Sequence, residues 1–287
     1  MKRYLLLLIV PFLLLTSSPG SSASAKLSVP LPDELKSAGV LKVGVKCDYP
    51  PFGFVDSSGK TVGFDLDFAR ELATLAFGNP DALQTQCLTS ADRIPYLTTH
   101  RVDLIVATLG YNEERARVIK FSRPYFSQTG RVLVLKNGGI KDVKDLGGKT
   151  VALVKGTPYG KWFSECLPSA SSTQYENNSD ALVALKQGRA QGFAMDDTFL
   201  VGLAQKDPSL TVIGALYSSK FGIGIRLGDD AVAKWADAAV AQLQSQDYFW
   251  NEFKKWVPDK KLQGLFSESM PRPGHDIVYP TGAVVHC

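Results

Sequence analysis

Short apolar runs alternate with amphipathic helical patterns in the first half of the chain. Residues 41–46 form an apolar, β-branched run, and apolar residues at near-helical spacing predict a helix over 65–77. A strand near 83–87, a helix near 91–98 and a strand over 102–108 follow. This order of strands and helices is typical of a parallel sheet with crossover helices, so we predict an α/β lobe.

The second half repeats the alternation. Strands are predicted over 149–153 and 191–195, and helices over 180–187 and 197–205. The stretch GTPYGKWF, residues 156–163, leads from a loop into a further helix. We therefore predict a second α/β lobe.

Two extended apolar segments stand outside the alternating pattern. Residues 131–139 and 220–228 show no helical spacing and predict two strands that cross between the lobes. Predicted helices over 230–244 and 248–256 would then return to the first lobe. Two crossings make a hinge, about which the lobes can close.

These crossings define the predicted domain boundaries. The first lobe comprises residues 26–131 and 222–287, and the second lobe comprises residues 132–221. Residues 262–287 are rich in Pro and Gly and predict an extended tail packed on a lobe. Two lobes also fit the length, because single cores tend to split above about 250 residues.

The first 25 residues have the features of a secretory signal peptide. Lys2 and Arg3 precede an apolar run from Leu5 to Leu15, and the small residues 23–25 form a cleavage site. The apolar run is shorter than the roughly 20 residues of a membrane-spanning helix. We expect a mature protein that starts near Lys26 and lies in the periplasm.

The charge balance argues against nucleic-acid and membrane-surface partners. The chain has 32 Lys and Arg against 28 Asp and Glu, a net charge of +4 that falls to +2 once Lys2 and Arg3 are removed. We expect a monomer without a metal or cofactor.

Four cysteines, Cys47, Cys87, Cys166 and Cys287, are too widely spaced for a zinc knuckle or a CxxC redox pair. In an oxidising compartment disulfides are expected, and three pairings are possible. Cys47 with Cys87 is favoured, because both would lie near the carboxyl ends of neighbouring strands.

Polar and charged residues gather where the predicted strands end. Ligands of parallel α/β sheets bind beyond the carboxyl ends of the strands, near helix N-termini. Each residue alone is more simply a surface or capping residue, but together they favour a cationic, hydroxyl-rich cleft with one carboxylate opposite. They are Lys46, Asp48, Tyr49, Thr89, Ser90, Arg93, Thr108, Gly110, Arg115, Gly156, Thr157, Tyr159 and Asp196.

Catalytic motifs are not evident. The three histidines, His100, His275 and His286, fall at no predicted strand end, and the chain has no HxH, HExxH or GxSxG motif. The pattern therefore favours binding over catalysis.

Several stretches resemble the periplasmic solute-binding proteins of polar-amino-acid ABC transporters. The resemblance covers residues 41–256 and includes LKVGVKCDYPPFGF, RVDLIVATLGYNEERARVIKFSRPYF, GTPYGKWF, QGFAMDDTFL and FGIGI. The segment SADRIPYL makes the likeness closer to the glutamate and aspartate binders. The resemblance implies two lobes that close on one amino acid and deliver it to a membrane permease.

The resemblance also implies roles for the strand-end residues. Arg115 would grip the α-carboxylate with a bidentate fork. The Thr108 hydroxyl and backbone N–H groups near Gly110 and Thr157 would assist it. The carboxylate of Asp196 would receive the α-ammonium. Tyr49 would lie against the ligand, with Phe52 supporting it.

The chain departs from the family pattern at three positions. Lys46 stands where many relatives carry an acid, Gly110 where they carry Ser or Thr, and Pro158 where they often have an N–H donor. Lys46 and Arg93 both match basic positions of the glutamate and aspartate binders. Two cations facing a side-chain carboxylate would favour glutamate or aspartate, with glutamine as the alternative ligand.

Alternatives to this selectivity and to the transport function remain open. Arg93 could instead pair with Asp92 or Asp48 while Lys46 points to water. A cyclohexadienyl dehydratase-like enzyme is built on the same scaffold, and it would need a general acid over the cleft. A sensor or partner module that feeds no permease is a third possibility.

Overall fold

A computed structural model describes residues 27–280 and residue 287. The predicted signal peptide and its cleavage site lie outside the described residues. The helices are α1 (Asp33–Ala38), α2 (Phe64–Phe77), α3 (Arg93–Thr98), α4 (Glu113–Ala116), α5 (Tyr159–Cys166), α6 (Asn178–Lys186), α7 (Asp197–Lys206), α8 (Asp230–Ser245), α9 (Tyr248–Trp256) and α10 (Lys260–Leu265). The strands are β1 (Leu41–Val45), β2 (Asp48–Tyr49), β3 (Gly53–Val55), β4 (Thr61–Val62), β5 (Leu83–Cys87), β6 (Leu104–Ile105), β7 (Ile119–Phe121), β8 (Phe126–Leu135), β9 (Thr150–Val154), β10 (Ser171–Tyr175), β11 (Gly192–Asp196), β12 (Leu210–Ile213), β13 (Ser218–Phe221) and β14 (Gly224–Arg226).

The first sheet has the strand order β5-β1-β6-β14-β7. β1 runs parallel to β5 and β6, as the βαβαβ pattern predicts, and β14 joins antiparallel from the far end of the chain. The apolar side chains of β1 are fully buried at Leu41, Val43 and Val45. Burial of these residues fixes the strand so that its carboxyl end, with Lys46, opens toward the second lobe.

The second sheet has the order β10-β9-β11-β8-β12, and β13 pairs with the first part of β8. β9 and its neighbours β10 and β11 are parallel, whereas β8 is antiparallel to β11 and β12. All five residues of β11 are buried. The structure thus has the two-lobe α/β fold that the sequence predicts.

A three-stranded sheet, β2-β3-β4, was not evident in the sequence. Its first two strands flank Pro50 and Pro51, which lie in the turn between them. The prolines therefore end β2 but permit a short antiparallel pairing on either side of the turn.

The chain passes between the sheets at two adjacent places. It leaves the first sheet after β7 and enters the second at β8, and it returns between β13 and β14. The first passage lies earlier than the predicted crossing at 131–139. The prediction placed it too late because the polar residues Ser127 to Thr129 hide the start of β8 in the sequence pattern. The predicted domain boundaries themselves stay a prediction.

Helices α8 and α9 follow the return to the first lobe, as predicted. The Phe249 ring of α9 lies edge-on to Phe68 of α2 with centroids 5.2 Å apart, and Phe253 contacts Phe126 at 5.8 Å. Within the described part of the chain, no helix is both long and apolar enough to cross a membrane.

The predicted extended tail begins differently from the expectation, since residues up to Leu265 belong to α10. Asp259 caps this helix by accepting hydrogen bonds from the Lys261 and Leu262 N–H groups. Beyond it the chain crosses the first lobe, where the Tyr279 hydroxyl donates to the Ser122 carbonyl at 2.7 Å.

Two disulfides are present. Cys47 pairs with Cys87, which confirms the pairing favoured from the sequence, and Cys166 pairs with Cys287. The second bond attaches the end of the chain to α5, which connects strands of the second sheet. Tyr279 stacks on Tyr111 of the first lobe, with ring centroids 4.6 Å apart. This disulfide therefore connects the two lobes covalently.

Candidate functional site

The strand ends of the two sheets face one another across a cleft. A cavity of about 20 Å³ remains between them, enough for about one water molecule. Its lining includes eight of the predicted strand-end residues, namely Ser90, Arg93, Thr108, Gly110, Arg115, Thr157, Tyr159 and Asp196. Lys46, Tyr49, Phe52 and Gly156 were also expected near the ligand, but they lie outside this lining. An amino acid is larger than the cavity, so its entry requires the lobes to move apart.

Asp196 accepts hydrogen bonds from two tyrosines. Its Oδ2 receives the Tyr49 hydroxyl at 2.5 Å and its Oδ1 receives the Tyr159 hydroxyl. Tyr49 comes from the first lobe and Tyr159 from the second, so the carboxylate links the two lobes. Burial raises the pKa of Asp196, and the two hydroxyl donors oppose that shift by stabilising the carboxylate.

Tyr49 and Phe52 belong to one aromatic cluster. The Tyr49 ring stacks on Phe199 of the second lobe with centroids 4.7 Å apart. Phe52 meets Phe126 and Phe221 edge-on at 4.9 and 5.6 Å. Since Phe126 and Phe221 are paired residues of β8 and β13, Phe52 packs against the strands at the hinge.

Arg115 spans the cleft from the first lobe to the second. Its Nη1 donates to the Gly110 carbonyl at 2.6 Å and its Nη2 to the Gly156 carbonyl at 2.7 Å. Thr157 turns its hydroxyl back to the Val154 carbonyl at 2.6 Å. The guanidinium therefore already bridges the two loops that the resemblance assigns to the α-carboxylate.

Arg93 is buried and its donors are directed to the main chain. Its Nη1 donates to the carbonyls of Ala107 and Thr108, both at 2.9 Å, and its Nε to Ser90 at 3.1 Å. Burial, reinforced by the nearby charge of Arg115, lowers the pKa of Arg93 to about 9. Among the described contacts, Arg93 forms no ion pair with Asp92 or Asp48. The alternative that Arg93 is paired with one of these two carboxylates therefore does not hold.

Lys46 does not point to water, since only 1% of its side chain is exposed. Its Nζ lies 2.8 Å from Asp48 Oδ1. Asn178 of the second lobe donates to the other oxygen of Asp48 through its N–H at 3.2 Å and its Nδ2 at 3.0 Å. Burial lowers the pKa of Lys46, and the Asp48 carboxylate opposes that shift. Lys46, one of the two cations expected to face a ligand side chain, therefore has a carboxylate partner within the protein.

The glycine at position 110 has a steric explanation. A Cβ at Gly110 would stand 2.7 Å from Ser219 Oγ, so a Ser or Thr side chain would not fit without displacing Ser219. Ser219 itself lines the cavity. A hydroxyl thus reaches the site from β13 instead of from the loop after β6.

Three further polar residues of the lining were missed in the sequence: Gln128, Tyr217 and Ser219. All three lie on or beside the hinge strands β8 and β13, where no strand end marks them. Gln128 is 3% exposed, and its Oε1 accepts no hydrogen bond within the described residues. Tyr159 was identified at a strand end, but its contact with Asp196 was not predicted.

A larger opening of about 540 Å³ adjoins the cleft and shares Arg115, Thr157 and Tyr217 with it. Across this opening Lys161 of the second lobe pairs with Glu114 of the first at 2.7 Å. Both side chains are exposed, so the pair adds little to stability. It marks the place where the two lobes meet at the surface.

Comparisons with known proteins agree with this geometry. The chain is 33% identical over 228 residues to the ABC transporter glutamine-binding protein GlnH of Bacillus subtilis, which covers 78% of this chain and 84% of that protein. It is 30% identical over 254 residues to the glutamate/aspartate import solute-binding protein of Salmonella typhimurium, covering 83% and 84% of the two chains.

Among solved structures, a solute receptor for L-cysteine of Neisseria gonorrhoeae superimposes with a TM-score of 0.76 at 30% identity, covering 78% of this chain and 92% of that one. Residues 41–259 match the bacterial extracellular solute-binding proteins, family 3. Because this match spans most of the chain, both lobes and the cleft between them, the protein belongs to that family.

Proposed function

We propose that the protein is the extracytoplasmic binding component of an amino-acid ABC transporter and that it binds glutamine. The relatives reported above are named as binding proteins for glutamine and for glutamate and aspartate. The observation that carries the proposal is the placement of Arg115 and Asp196 on opposite sides of one cleft between two hinged lobes. This arrangement offers a cation to an α-carboxylate and a carboxylate to an α-ammonium.

The contacts of the closed cleft match the groups that an amino acid would bring. Arg115 donates to two carbonyls, and Asp196 accepts from two hydroxyls. When the lobes part, the two of these hydrogen bonds that join them, Arg115 to the Gly156 carbonyl and Tyr49 to Asp196, are given up. The ligand carboxylate then receives the guanidinium fork, and the ligand ammonium replaces a tyrosine hydroxyl at Asp196.

Glutamine fits the rest of the site better than an acidic ligand does. Lys46 is paired with Asp48, and Arg93 donates through Nε and Nη1 to carbonyl groups of its own lobe, so only Arg93 Nη2, 3.5 Å from the Gly156 carbonyl, is left for a ligand. Gln128 Oε1 is a buried acceptor without a donor. A side-chain amide supplies N–H donors, which a carboxylate does not. Binding of glutamate or aspartate, which was expected from Lys46 and Arg93, is therefore the alternative that the experiment must exclude.

Calorimetric titration with glutamine, glutamate, arginine and cystine tests the proposal. We expect glutamine to bind most tightly. Gln128→Met should lower the affinity for glutamine by about fivefold to a hundredfold, since loss of a buried hydrogen bond costs about 1–3 kcal/mol. The same substitution should lower the affinity for glutamate by a smaller factor. Gln84→Met, at an exposed position of β5, is the control and should leave both affinities unchanged.

Tighter binding of glutamate, with no loss on Gln128→Met, would overturn the glutamine assignment and leave the transport function standing. If none of the twenty amino acids raises the melting temperature, the transport function is also wrong. Prephenate or arogenate turnover would favour the enzyme alternative, and a gene distant from any permease and ATPase would favour the sensor alternative.

A further inference from the structure

Asp65 lies beneath the cleft and is fully buried, yet it has no role in the ligand contacts proposed above. Its Oδ2 accepts the Thr108 N–H at 2.9 Å, and its Oδ1 accepts the Tyr125 hydroxyl at 3.1 Å. Its own N–H donates to the Phe52 carbonyl at 2.8 Å. One residue at the start of α2 thus connects both cleft-forming segments of the first lobe, the loop after β1 and the loop after β6.

Thr108 has an unusual backbone conformation. Its φ is 47°, in the left-handed region that β-branched residues rarely occupy. Such a conformation persists only where the surroundings hold it in place. Here Asp65 accepts from the N–H of Thr108 while Arg93 donates to its carbonyl at 2.9 Å. A buried carboxyl group and a buried guanidinium therefore hold the two peptide groups of this one residue.

We propose that Asp65 is a positioning residue that holds Thr108 in the left-handed conformation and so prepares the cleft for a ligand carboxylate. The inference rests on the proposed function, because that function brings a ligand α-carboxylate to the cleft, where the resemblance implies that Thr108 and the backbone near Gly110 assist Arg115. Asp65 acts through Thr108 and does not touch the ligand. With the loop fixed in advance, binding does not have to order it, and affinity is higher.

The choice of a carboxylate at this position is informative. Packing alone would be served by an apolar side chain, since burying a carboxyl group is costly and burial raises the pKa of Asp65 to about 7. A carboxylate provides two acceptor oxygens, and both have donors here. Its location in the first turn of α2 also favours its negative charge.

A double-mutant cycle separates positioning from a purely structural role. Asp65→Asn preserves the shape of the side chain but weakens its hold on the Thr108 N–H. In the otherwise unchanged protein we expect glutamine affinity to fall by about tenfold, which corresponds to about 1.4 kcal/mol. Thr108→Gly makes the left-handed conformation accessible without support. In the Thr108→Gly background, Asp65→Asn should lower glutamine affinity by less than about threefold. An equal loss in both backgrounds would overturn the proposal.

Tyr125→Phe is the matched control. It removes the other hydrogen bond to Asp65 and keeps the contact with Thr108, so affinity should stay within about twofold of the wild type. A tenfold loss in this variant would show that general disturbance of the buried cluster, not the hold on Thr108, sets affinity.

Amide hydrogen exchange supplies a readout that needs no ligand. Asp65→Asn should speed exchange at the Thr108 N–H without equal change at Val43 and Val45 in β1, which would report general destabilisation. Unchanged exchange at Thr108 would overturn the positioning role even if no amino acid binds. Accelerated exchange in a protein that binds no amino acid would instead leave the hold on Thr108 standing and refute the proposed function.

Discussion

Gly156 of the second lobe lies directly against Ala91 of the first. A Cβ at Gly156 would stand 2.6 Å from both the Cα and the N of Ala91, closer than real Cβ atoms approach other atoms. Gly156 also has a φ of 74°. The two loops meet main chain to main chain, and the same Gly156 carbonyl receives Arg115. Closure of the cleft therefore depends on a missing side chain.

We predict that Gly156→Ala weakens ligand binding by about tenfold or more, because the added methyl prevents full closure. Gly148→Ala is the matched control: its φ is 72°, but no atom lies within 4 Å of its added Cβ. Both variants should lose a similar amount of stability, from backbone strain, and only Gly156→Ala should lose affinity. Calorimetric titration and thermal unfolding of the two proteins measure the difference. Equal affinity in both variants would mean that closure tolerates a side chain at position 156.

Arg115→Ala and Asp196→Ala should each abolish most binding whatever the side chain of the ligand. Each change leaves a charged group of the ligand without its partner in a closed cleft, at a cost of about 2–5 kcal/mol. Circular dichroism should show that both proteins remain folded. Arg115→Lys should recover only part of the affinity, since an ammonium cannot form the bidentate fork. Wild-type affinity in either alanine variant would place the ligand elsewhere.

The two disulfides should contribute unequally to stability. Cys166–Cys287 spans 121 residues and Cys47–Cys87 spans 40. Loop-closure entropy then gives about 4.9 and about 3.9 kcal/mol respectively. Urea unfolding of the paired serine variants, Cys166→Ser with Cys287→Ser and Cys47→Ser with Cys87→Ser, measures both contributions. A larger loss of stability on removing Cys47–Cys87 would show that each disulfide acts mainly through packing in the folded state, and not through the entropy of the unfolded chain.

Stability should fall as the pH rises from 5 to 8. Burial raises the pKa of Asp65 to about 7 and that of Asp197 to about 6, from an ordinary value of 3.8. The folded state therefore binds these protons more tightly than the unfolded state does. Their favourable contribution is complete below about pH 4 and is lost as the pH passes through 6 and 7. Each group contributes a slope of up to about 1.4 kcal/mol per pH unit.

Urea unfolding at pH 5, 6, 7 and 8 measures this slope. Asp65→Asn should flatten it, because an amide does not titrate. Asp207→Asn is the comparison, since hydrogen bonds from Lys186 and Ser209 lower the pKa of Asp207 to about 2, below this range. A slope that is unchanged by Asp65→Asn would mean that Asp65 stays ionised in the folded protein.

The sequence indicated most of the regular structure correctly. The helices α2, α7, α8 and α9 lie within one or two residues of their predicted positions, since each has a long amphipathic period. The start of β8 was missed because Ser127, Gln128 and Thr129 give no apolar signal, although pairing with β13 holds them in a strand. The sequence could not show that these polar residues form part of the site.

Local pattern alone determined the α/β lobes and the strand ends that carry Arg93, Thr108, Arg115 and Asp196, and it favoured the pairing of Cys47 with Cys87. These features follow from periodicity and from the rule that parallel strands end at one edge. The tertiary structure decided the partners. Lys46 pairs with Asp48, Arg93 holds the Thr108 carbonyl, and Gln128 enters the site from the hinge. These partners are distant from one another in sequence, so a local pattern does not reveal them. Burial then requires each charged or polar group to form a hydrogen bond or ion pair with a group that the fold places nearby.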